Sequence, residues 1–162
     1  MLAGGVLTAS KVEFGDSIKI EADIDTVGPS SFTLRGLPGI TVTVNSLAQF
    51  EGGVSGLNNL VVGNHVRFRG RASSSNTVIA TEVERRSADP RVELQGPIQS
   101  ITGASPNQIV TILGVAVDTT GAVFEDVNRA TFFSQAVVGT LVKTRGSLNG
   151  STVTWSEMEL ED

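Results

Sequence analysis

The ten residues VVGNHVRFRG (61–70) return almost unchanged as VVGTLVKTRG (137–146), and this repeated phrase decides the fold that we expect. In each copy a glycine allows the chain to turn, and the residues after it alternate between apolar and polar types. Alternation along a strand puts the apolar side chains on one face, with Arg67 and Arg69 on the opposite face. The phrase therefore predicts the entry to the same strand in two copies of one unit.

The blocks on either side of the phrase also recur, and they recur in the same order. IEADIDTV (20–27) corresponds to LQGPIQSI (94–101), and VIATEVE (78–84) corresponds to VTWSEME (153–159). The blocks alternate apolar with polar residues and favour Val, Ile, Thr and Phe, which is typical of half-buried strands. The sequence therefore predicts an all-β protein of two tandem, five-stranded barrels.

Three segments follow from the repeat. Residues 16–86 are expected to form the first barrel and residues 91–162 the second, each with its own sheet. VLTASKVEF (6–14) resembles the closing block, so residues 1–15 are expected to be an orphan strand from a preceding repeat of a longer protein. We expect this strand to dock on its own first barrel, which favours a monomer, and a dimer through residues 6–14 is the alternative.

One short helix is predicted in each unit, just before the repeated phrase. Apolar residues there have the i, i+3, i+4 spacing of one helix face. They are Leu57, Leu60 and Val61 in the first unit, and Phe133, Ala136 and Val137 in the second. Ser55 and Thr131 stand where an N-cap is expected, so the helical turns are predicted to follow these residues.

The last two strands of the second unit are predicted to form a hairpin around Asn149-Gly150, a strong two-residue turn signal. Counting back from this turn buries Trp155 opposite Thr144. A β-bulge after Trp155 then keeps the following glutamate out of the core. The first unit has the same break, between Ala80 and Val83.

Basic residues on the polar strand faces are the candidates for a ligand-binding face. These candidates are Arg35, Arg67, Arg69, Lys143 and Arg145. The two bulges place Glu82 near Arg67 and Glu157 beside Lys143. A surface ion pair is therefore the simpler interpretation of these basic residues.

The composition limits the classes of function. The chain has 162 residues, a net charge of −5 and no cysteine, which excludes disulfides, thiolate metal sites and a cysteine nucleophile. A negative net charge repels a phosphate backbone, and no stretch approaches the ~18 apolar residues of a membrane span. We therefore expect neither nucleic-acid binding nor membrane insertion.

No pattern of residues is typical of a catalytic, cofactor or metal site. His65, the only histidine, corresponds to Leu141, which indicates a tolerated boundary position rather than a ligand. Glu82 and Glu84 share a strand face that a calcium site or an acid/base pair can use, but solvation is the commoner reason for this pattern. GGVSG (52–56) lacks the lysine of a phosphate-binding loop. We expect no enzyme activity, no cofactor and no metal.

The order of three strands, a short helix and two strands is that of the OB-fold, and Gly96-Pro97 suits its bent first strand. VELQGPI (92–98), VVGTLVKTRG (137–146) and the closing TEVE-type strand resemble an uncharacterised bacterial domain family of unknown function. That family has OB-like barrels in tandem copies, in proteins expected to be secreted or to lie in the envelope. The resemblance implies a periplasmic, envelope or secreted location and no catalytic residues.

We therefore expect a non-enzymatic module with a structural or protein-interaction role in a larger bacterial protein, with a protein or an envelope polymer as partner. Saccharide or other ligand binding on the open barrel face is the alternative. Phe50 and Phe124 are the matched aromatic residues near a loop, although a core position is the commoner role. A second alternative, single-stranded nucleic acid, is disfavoured because the chain lacks tyrosine and its one tryptophan points inward.

Overall fold

The computed structural model describes residues 17–74 and 76–161, and this part of the chain is mostly β-sheet. The elements in chain order are β1 (Ile18–Val27), β2 (Ser31–Leu34), β3 (Thr41–Glu51), a 3-10 helix (Leu57–Asn59), β4 (His65–Ser74), β5 (Thr77–Arg86), β6 (Arg91–Thr102), β7 (Ile109–Ile112), β8 (Val115–Asp118), β9 (Val123–Phe124), α1 (Arg129–Gln135), β10 (Leu141–Asn149) and β11 (Thr152–Leu160). The all-β prediction is confirmed. The orphan strand predicted over residues 6–14 lies outside the described residues. Neither described helix has the length and apolar character that crossing a bilayer requires.

The first half of the chain closes into a barrel. β1 pairs with β2 and β4, β2 pairs with β3, and β5 pairs with both β3 and β4, so the five strands form a ring. All of these pairs are antiparallel except that of β3 with β5. The apolar faces fill the ring, where Phe32 and Phe68 meet edge-to-face with their centroids 5.6 Å apart.

The second half repeats most of these pairings, but its ring is open. β6 pairs with β7 and β10, β7 pairs with β8, and β11 pairs with β10 and β9. Within the described residues β8 pairs only with β7, whereas in the first half Val44 of β3 pairs with Ala80 of β5. The residue that corresponds to Ala80 is Trp155. At this opening, the indole of Trp155 stands where the first half has the methyl group of Ala80.

The two halves share one continuous sheet, because β1 also pairs with β6 in antiparallel fashion. The opposed pairs are Lys19 with Gln95, Ile20 with Leu94, and Glu21 with Glu93. The prediction of separate sheets is therefore wrong. The reason is that β4 covers one edge of the first half of β1 while β2 reaches only its second half, which leaves an edge for β6. Ile20 and Leu94 are fully buried at this junction.

A second contact joins the halves at two glycines with left-handed backbone. Gly36 (φ +83°) faces β11, where a Cβ atom on this glycine would lie 2.6 Å from Cγ2 of Val153. Gly114 (φ +78°) faces the turn between β4 and β5, where a Cβ atom would lie 2.6 Å from Oδ1 of Asn76. Each half therefore packs a hairpin against a loop of the other half at a distance that favours glycine.

Helical turns occupy both predicted positions, but neither predicted N-cap is correct. The 3-10 helix has Gly56 at its N-cap and no side-chain cap, while Ser55 donates its hydroxyl hydrogen to Oδ1 of Asn59. Asn128 caps α1 by accepting a hydrogen bond from the backbone N–H of Thr131, which lies inside the helix. The apolar spacing located the helices, whereas short polar side chains nearby could satisfy the free N–H groups in more than one way.

The first valine of each repeated phrase faces solvent instead of the helix face that we predicted. Val61 and Val137 are 59% and 62% exposed. Each begins a β-turn that the N–H of Asn64 or Thr140 closes, with a glycine of φ +93° or +95° at the third position. The turn, and not the helix period, therefore sets the direction of these side chains.

The β10–β11 hairpin turns at Gly150-Ser151, one residue later than predicted. Trp155 consequently lies opposite Gly146 instead of Thr144. The burial of Trp155 is confirmed, at 7% exposure, and so is the bulge that follows it. A register error of two residues changes the cross-strand partners but leaves every side chain on its predicted face.

The final glycine of the repeated phrase lies at this bulge in both halves. A Cβ atom on Gly70 would collide with the carbonyl oxygen of Ile79, and one on Gly146 would collide with that of Thr154. The bulge predicted between Ala80 and Val83 is confirmed. The last glycine of the phrase therefore recurs because the bulge leaves no room for a side chain. The first glycine recurs because the turn needs a left-handed backbone, with φ +93° at Gly63 and +95° at Gly139.

Gly36→Ala is expected to lower the free energy of unfolding by about 1–3 kcal/mol, because alanine adds a methyl group against Val153 in a left-handed conformation. Gly63→Ala is the matched control, since Gly63 has φ +93° but no atom of the described residues within 4 Å of a Cβ position. Urea unfolding measures the free energy of unfolding of both variants. Both lose stability through backbone strain, so the additional loss in Gly36→Ala reports the contact between the halves. Equal losses in the two variants would contradict the interlocked arrangement.

Candidate functional site

Outward-facing side chains on six neighbouring strands form one surface, which we call the charged face. The cross-strand registers place these side chains in two rows. The first row, from β5 to β11, is Glu84, Arg67, Glu21, Glu93, Arg145 and Glu157. The second row is Glu82, Arg69, Lys19, Gln95, Lys143 and Glu159. The charged face thus crosses both halves, with the β1–β6 pairing at its centre.

Four of the five predicted ligand-face cations lie on the charged face, and Arg35 does not. Arg35 lies in the turn after β2, where its Nε is 3.9 Å from Oδ1 of Asp25. The β1–β6 pairing places the cations of β4 and those of β10 on one face, with β1 and β6 between them. The sequence predicted the cations of β4 and those of β10 as two separate groups, and it gave no indication that they share one face.

Arg145 forms the most complete ion pair of the face. Its Nε donates to Glu93 at 3.0 Å, and its Nη1 donates to Glu157 at 3.1 Å. Desolvation disfavours the charged guanidinium, but the two hydrogen bonds and the attraction of both carboxylates outweigh this effect and raise the pKa of Arg145. The prediction that Glu157 lies beside Lys143 is wrong, because the hairpin register is displaced by two residues.

Two other cations of the face also have carboxylate partners. Nε of Arg69 lies 3.4 Å from Oε1 of Glu82, and Nζ of Lys143 lies 3.3 Å from Oε1 of Glu159. The general prediction of surface ion pairs is therefore confirmed for these residues. The specific prediction that Glu82 pairs with Arg67 is wrong, since the first-half bulge sets Glu82 opposite Arg69.

A cleft of about 240 Å³ opens in the charged face where the halves meet. Its lining includes four cations and three carboxylates, which are Lys19, Arg67, Arg69, Lys143, Glu82, Glu84 and Glu93. Lys19 and Arg67 are exposed, and neither has a carboxylate oxygen within 4.0 Å among the described residues. The cleft is therefore the part of the charged face with cations that are not already ion-paired.

Sequence analysis missed His65, which lies at the edge of the charged face and is 2% exposed. Its Nδ1 is 2.8 Å from Oδ1 of Asp23, and its Nε2 is 2.7 Å from Oε2 of Glu21. Each ring nitrogen of His65 therefore lies within hydrogen-bond distance of one carboxylate oxygen, so the imidazole bridges two acidic side chains. The prediction of a tolerated boundary position is wrong. The sequence signal was the alternation of Glu21 and Asp23, which puts two carboxylates on one face of β1. Only the β1–β4 register shows that His65 lies between them.

The acidic residues of this region are ion-paired with neighbouring cations. Glu82 and Glu84 share a strand face, as predicted, and they pair with Arg69 and Arg86 respectively. His65 holds its two carboxylates on different ring nitrogens, so the three groups do not converge on one point. Among the residues that the structure describes, no group of His, Asp and Glu side chains is arranged to hold a metal ion.

A second cleft, of about 260 Å³, lies where the ring of the second half is open. Asp118 and Thr120 line it on one side, and Val153, Thr154 and Trp155 line it from β11. The hydroxyl and the backbone N–H of Thr120 donate to Oδ1 of Asp118 at 2.6 and 2.9 Å, and these hydrogen bonds lower the pKa of Asp118. This cleft therefore combines an aromatic side chain with a carboxylate in a fixed position.

Arg129 of α1 fixes the loop beside the second cleft. Its Nη1 donates to Oε1 of Gln108 at 2.8 Å and to Oγ1 of Thr119 at 2.9 Å. Its guanidinium also lies 4.7 Å from the ring centroid of Phe124. Phe124 and Phe50 both pack against the hydrophobic core, which confirms the core interpretation of this matched aromatic pair.

Comparison with protein families gives one result for the first half of the chain. A family model described as a domain of unknown function, DUF5666, matches residues 19–84. This range runs from β1 into β5, so the similarity to that family covers the closed barrel of the first half. A comparison with curated proteins finds no match, and a comparison with solved structures finds none.

His65→Leu is expected to lower the free energy of unfolding by about 3–5 kcal/mol, because the carboxylate of Glu21, 6% exposed, loses its buried partner. Adding Glu21→Gln to this variant should recover part of the loss, since the uncompensated charge is removed. Lys143→Gln is the control, and it should cost under about 1 kcal/mol because its ion pairs are partly exposed. Chemical denaturation measures the free energy of unfolding of the three variants. If His65→Leu is as mild as Lys143→Gln, the buried ion pair is not stabilising the fold.

Thr120→Val is expected to raise the pKa of Asp118 toward the ordinary aspartate value, because valine cannot donate the side-chain hydrogen bond. Thr120→Ser keeps the hydroxyl and should keep the pKa low. A folded-state pKa below the unfolded value means that this interaction stabilises the fold above the ordinary pKa and is lost as pH falls through the folded one. NMR titration of the carboxyl carbon measures the pKa. An unchanged pKa in Thr120→Val would show that the hydroxyl is not its cause.

Proposed function

We propose that the chain is a non-enzymatic binding module with a structural or protein-interaction role in a larger bacterial protein. We assign it two OB-like units in tandem, and the family resemblance favours an envelope or secreted location. The ring order β1-β2-β3-β5-β4, with a helical turn between β3 and β4, supports the OB-like assignment. The recurrence of most of these pairings in the second half supports the tandem assignment.

The charged face is the observation that carries this proposal. It extends over six strands, and its side chains project from a hydrogen-bonded sheet instead of from loops. Its two rows hold five cations and six carboxylates at fixed spacings. A fixed pattern of both charges favours recognition of a macromolecule with the complementary pattern, because electrostatic complementarity supplies specificity and suppresses wrong partners.

This mixture of charges favours a protein over a uniformly charged polymer as the partner. A nucleic acid would meet the carboxylates of both rows in addition to a chain net charge of −5. We therefore propose no nucleic-acid ligand, no membrane insertion and no cofactor. We favour a monomer, with a dimer through residues 6–14 as the alternative, and light scattering of the full chain distinguishes the two.

Selection of a displayed random-peptide library on the purified chain tests the protein-interaction role. Enriched peptides are expected to lose about tenfold or more in affinity for Arg67→Gln/Arg69→Gln, which removes two cations from the face. Arg35→Gln/Arg71→Gln is the matched control, because it removes two cations that lie outside both rows. Peptides that bind all three proteins equally would exclude the charged face as the recognition surface. A failure to enrich any peptide would contradict the protein-interaction role.

The second cleft supports saccharide binding as the other candidate function. Trp155 and Asp118 both line it, and ligand sites commonly combine aromatic side chains with a few fixed polar groups. A glycan array is expected to show binding that Asp118→Ala abolishes and that Arg67→Gln/Arg69→Gln leaves unchanged. An array without any bound glycan, or binding that survives Asp118→Ala, would remove this candidate.

A further inference from the structure

We propose that the cleft in the charged face binds a single carboxylate of an acidic peptide segment, held between Lys19 and Arg67. This inference rests on the proposed protein-interaction role and specifies the chemical group that the face recognises. Residues of β5, β4, β1, β6 and β10 line the cleft, so it lies across the junction of the two halves.

The carboxylates that line the cleft are already neutralised by other cations. Each lies within 3.4 Å of a basic nitrogen, Glu82 of Arg69, Glu84 of Arg86 and Glu93 of Arg145. Glu21, which faces Arg67 across the β1–β4 pair, is bound to His65 at 2.7 Å. Lys19 and Arg67 thus have no carboxylate oxygen within 4.0 Å in the described part of the chain. An incoming anion therefore does not have to break an existing ion pair.

Lys19 and Arg67 are placed so that one group can contact both. They are diagonal neighbours on β1 and β4, a relation in which the two residues are about 7–8 Å apart. Both side chains are exposed and long, so they can converge on a group that lies between them. The guanidinium offers two parallel N–H donors in a geometry that matches a carboxylate, and the ammonium adds further donors.

The floor of the cleft is fixed before any ligand enters. Gln95 lines it and is 4% exposed, and its Nε2 donates to the carbonyl oxygen of Ser17 at 3.2 Å. Phe68, which also lines the cleft, is 2% exposed and belongs to the barrel core. A floor held in this way needs little reorganisation on binding, which lowers the entropic penalty of association.

The carboxylates around the two unpaired cations favour a group with a single negative charge. A phosphate monoester carries about −1.5 to −2, so the lining carboxylates Glu82, Glu84 and Glu93 repel it more strongly than they repel one carboxylate. A side-chain carboxylate matches both the charge and the fork of the guanidinium.

Titration with glutamate blocked at both ends, which retains one carboxylate, tests the proposal. Amide NMR of the full chain at constant ionic strength is expected to show its largest shifts at Lys19, Arg67 and the side-chain amide of Gln95. Lys19→Gln/Arg67→Gln should weaken binding by about tenfold or more. Lys19→Arg, and the control Arg35→Gln/Arg71→Gln, should keep the wild-type affinity. Melting temperatures confirm that the variants remain folded.

Parallel titrations with blocked glutamine and inorganic phosphate supply the contrary outcomes. Glutamine binding as tightly as glutamate, phosphate binding more tightly, or equal weakening in the control variant would each overturn the assignment. If selected peptides bind the charged face but ignore Lys19→Gln/Arg67→Gln, this inference fails and the protein-interaction role stands. If blocked glutamate binds as expected but no peptide is enriched, the interaction role fails and the carboxylate site stands.

Discussion

The antiparallel contact between β1 and β6 is the constraint on which the rest of the structure depends. It consists of three residue pairs, and it joins two strands that β4 and β10 already hold on their other edges. It also sets Glu21 directly opposite Glu93, an arrangement of like charges that destabilises a sheet. His65 binds the first carboxylate and Arg145 binds the second, so the junction of the halves depends on one nitrogen-bearing side chain from each half.

The antiparallel direction of this contact also explains why a cleft forms at the centre of the charged face. When the first row is read from β5 to β11 and the second row from β11 to β5, the charges agree at the two outer positions on each side. They differ only at the two central positions. There Gln95 corresponds to Glu21, and Lys19 corresponds to Glu93. A face with identical rows would place four carboxylates side by side at the junction, which mutual repulsion opposes. The exchange relieves this repulsion and places Lys19, which has no carboxylate oxygen within 4.0 Å among the described residues, diagonally from Arg67 on the neighbouring strand.

The sequence was sufficient to predict the strands, their faces and the bulges, because alternation and turn residues are local signals. It was not sufficient for register or for contacts between the halves. The hairpin turns at Gly150-Ser151, and a displacement of two residues preserved every face while moving Glu157 from Lys143 to Arg145. The β1–β6 pairing joins segments far apart in the chain, and the alternation of β1 does not show that a second strand covers its edge. The ligand-face cations of β4 and β10 were therefore predicted, but the cleft between them was not.

Two positions at which the halves differ also differ in their surroundings. His65 lies between two carboxylates, whereas the corresponding Leu141 faces Pro97 across its strand pair. Trp155 stands beside an open ring, whereas the corresponding Ala80 lies in a closed one. Because the two halves have the same order of strands, the correspondence of His65 with Leu141 was interpreted as a tolerated substitution. Here each difference changes the local structure, since one creates a buried ion pair and the other accompanies a cleft. The shared glycines and apolar residues maintain the frame, so any property that only one half possesses has to come from the positions that the repeat does not preserve.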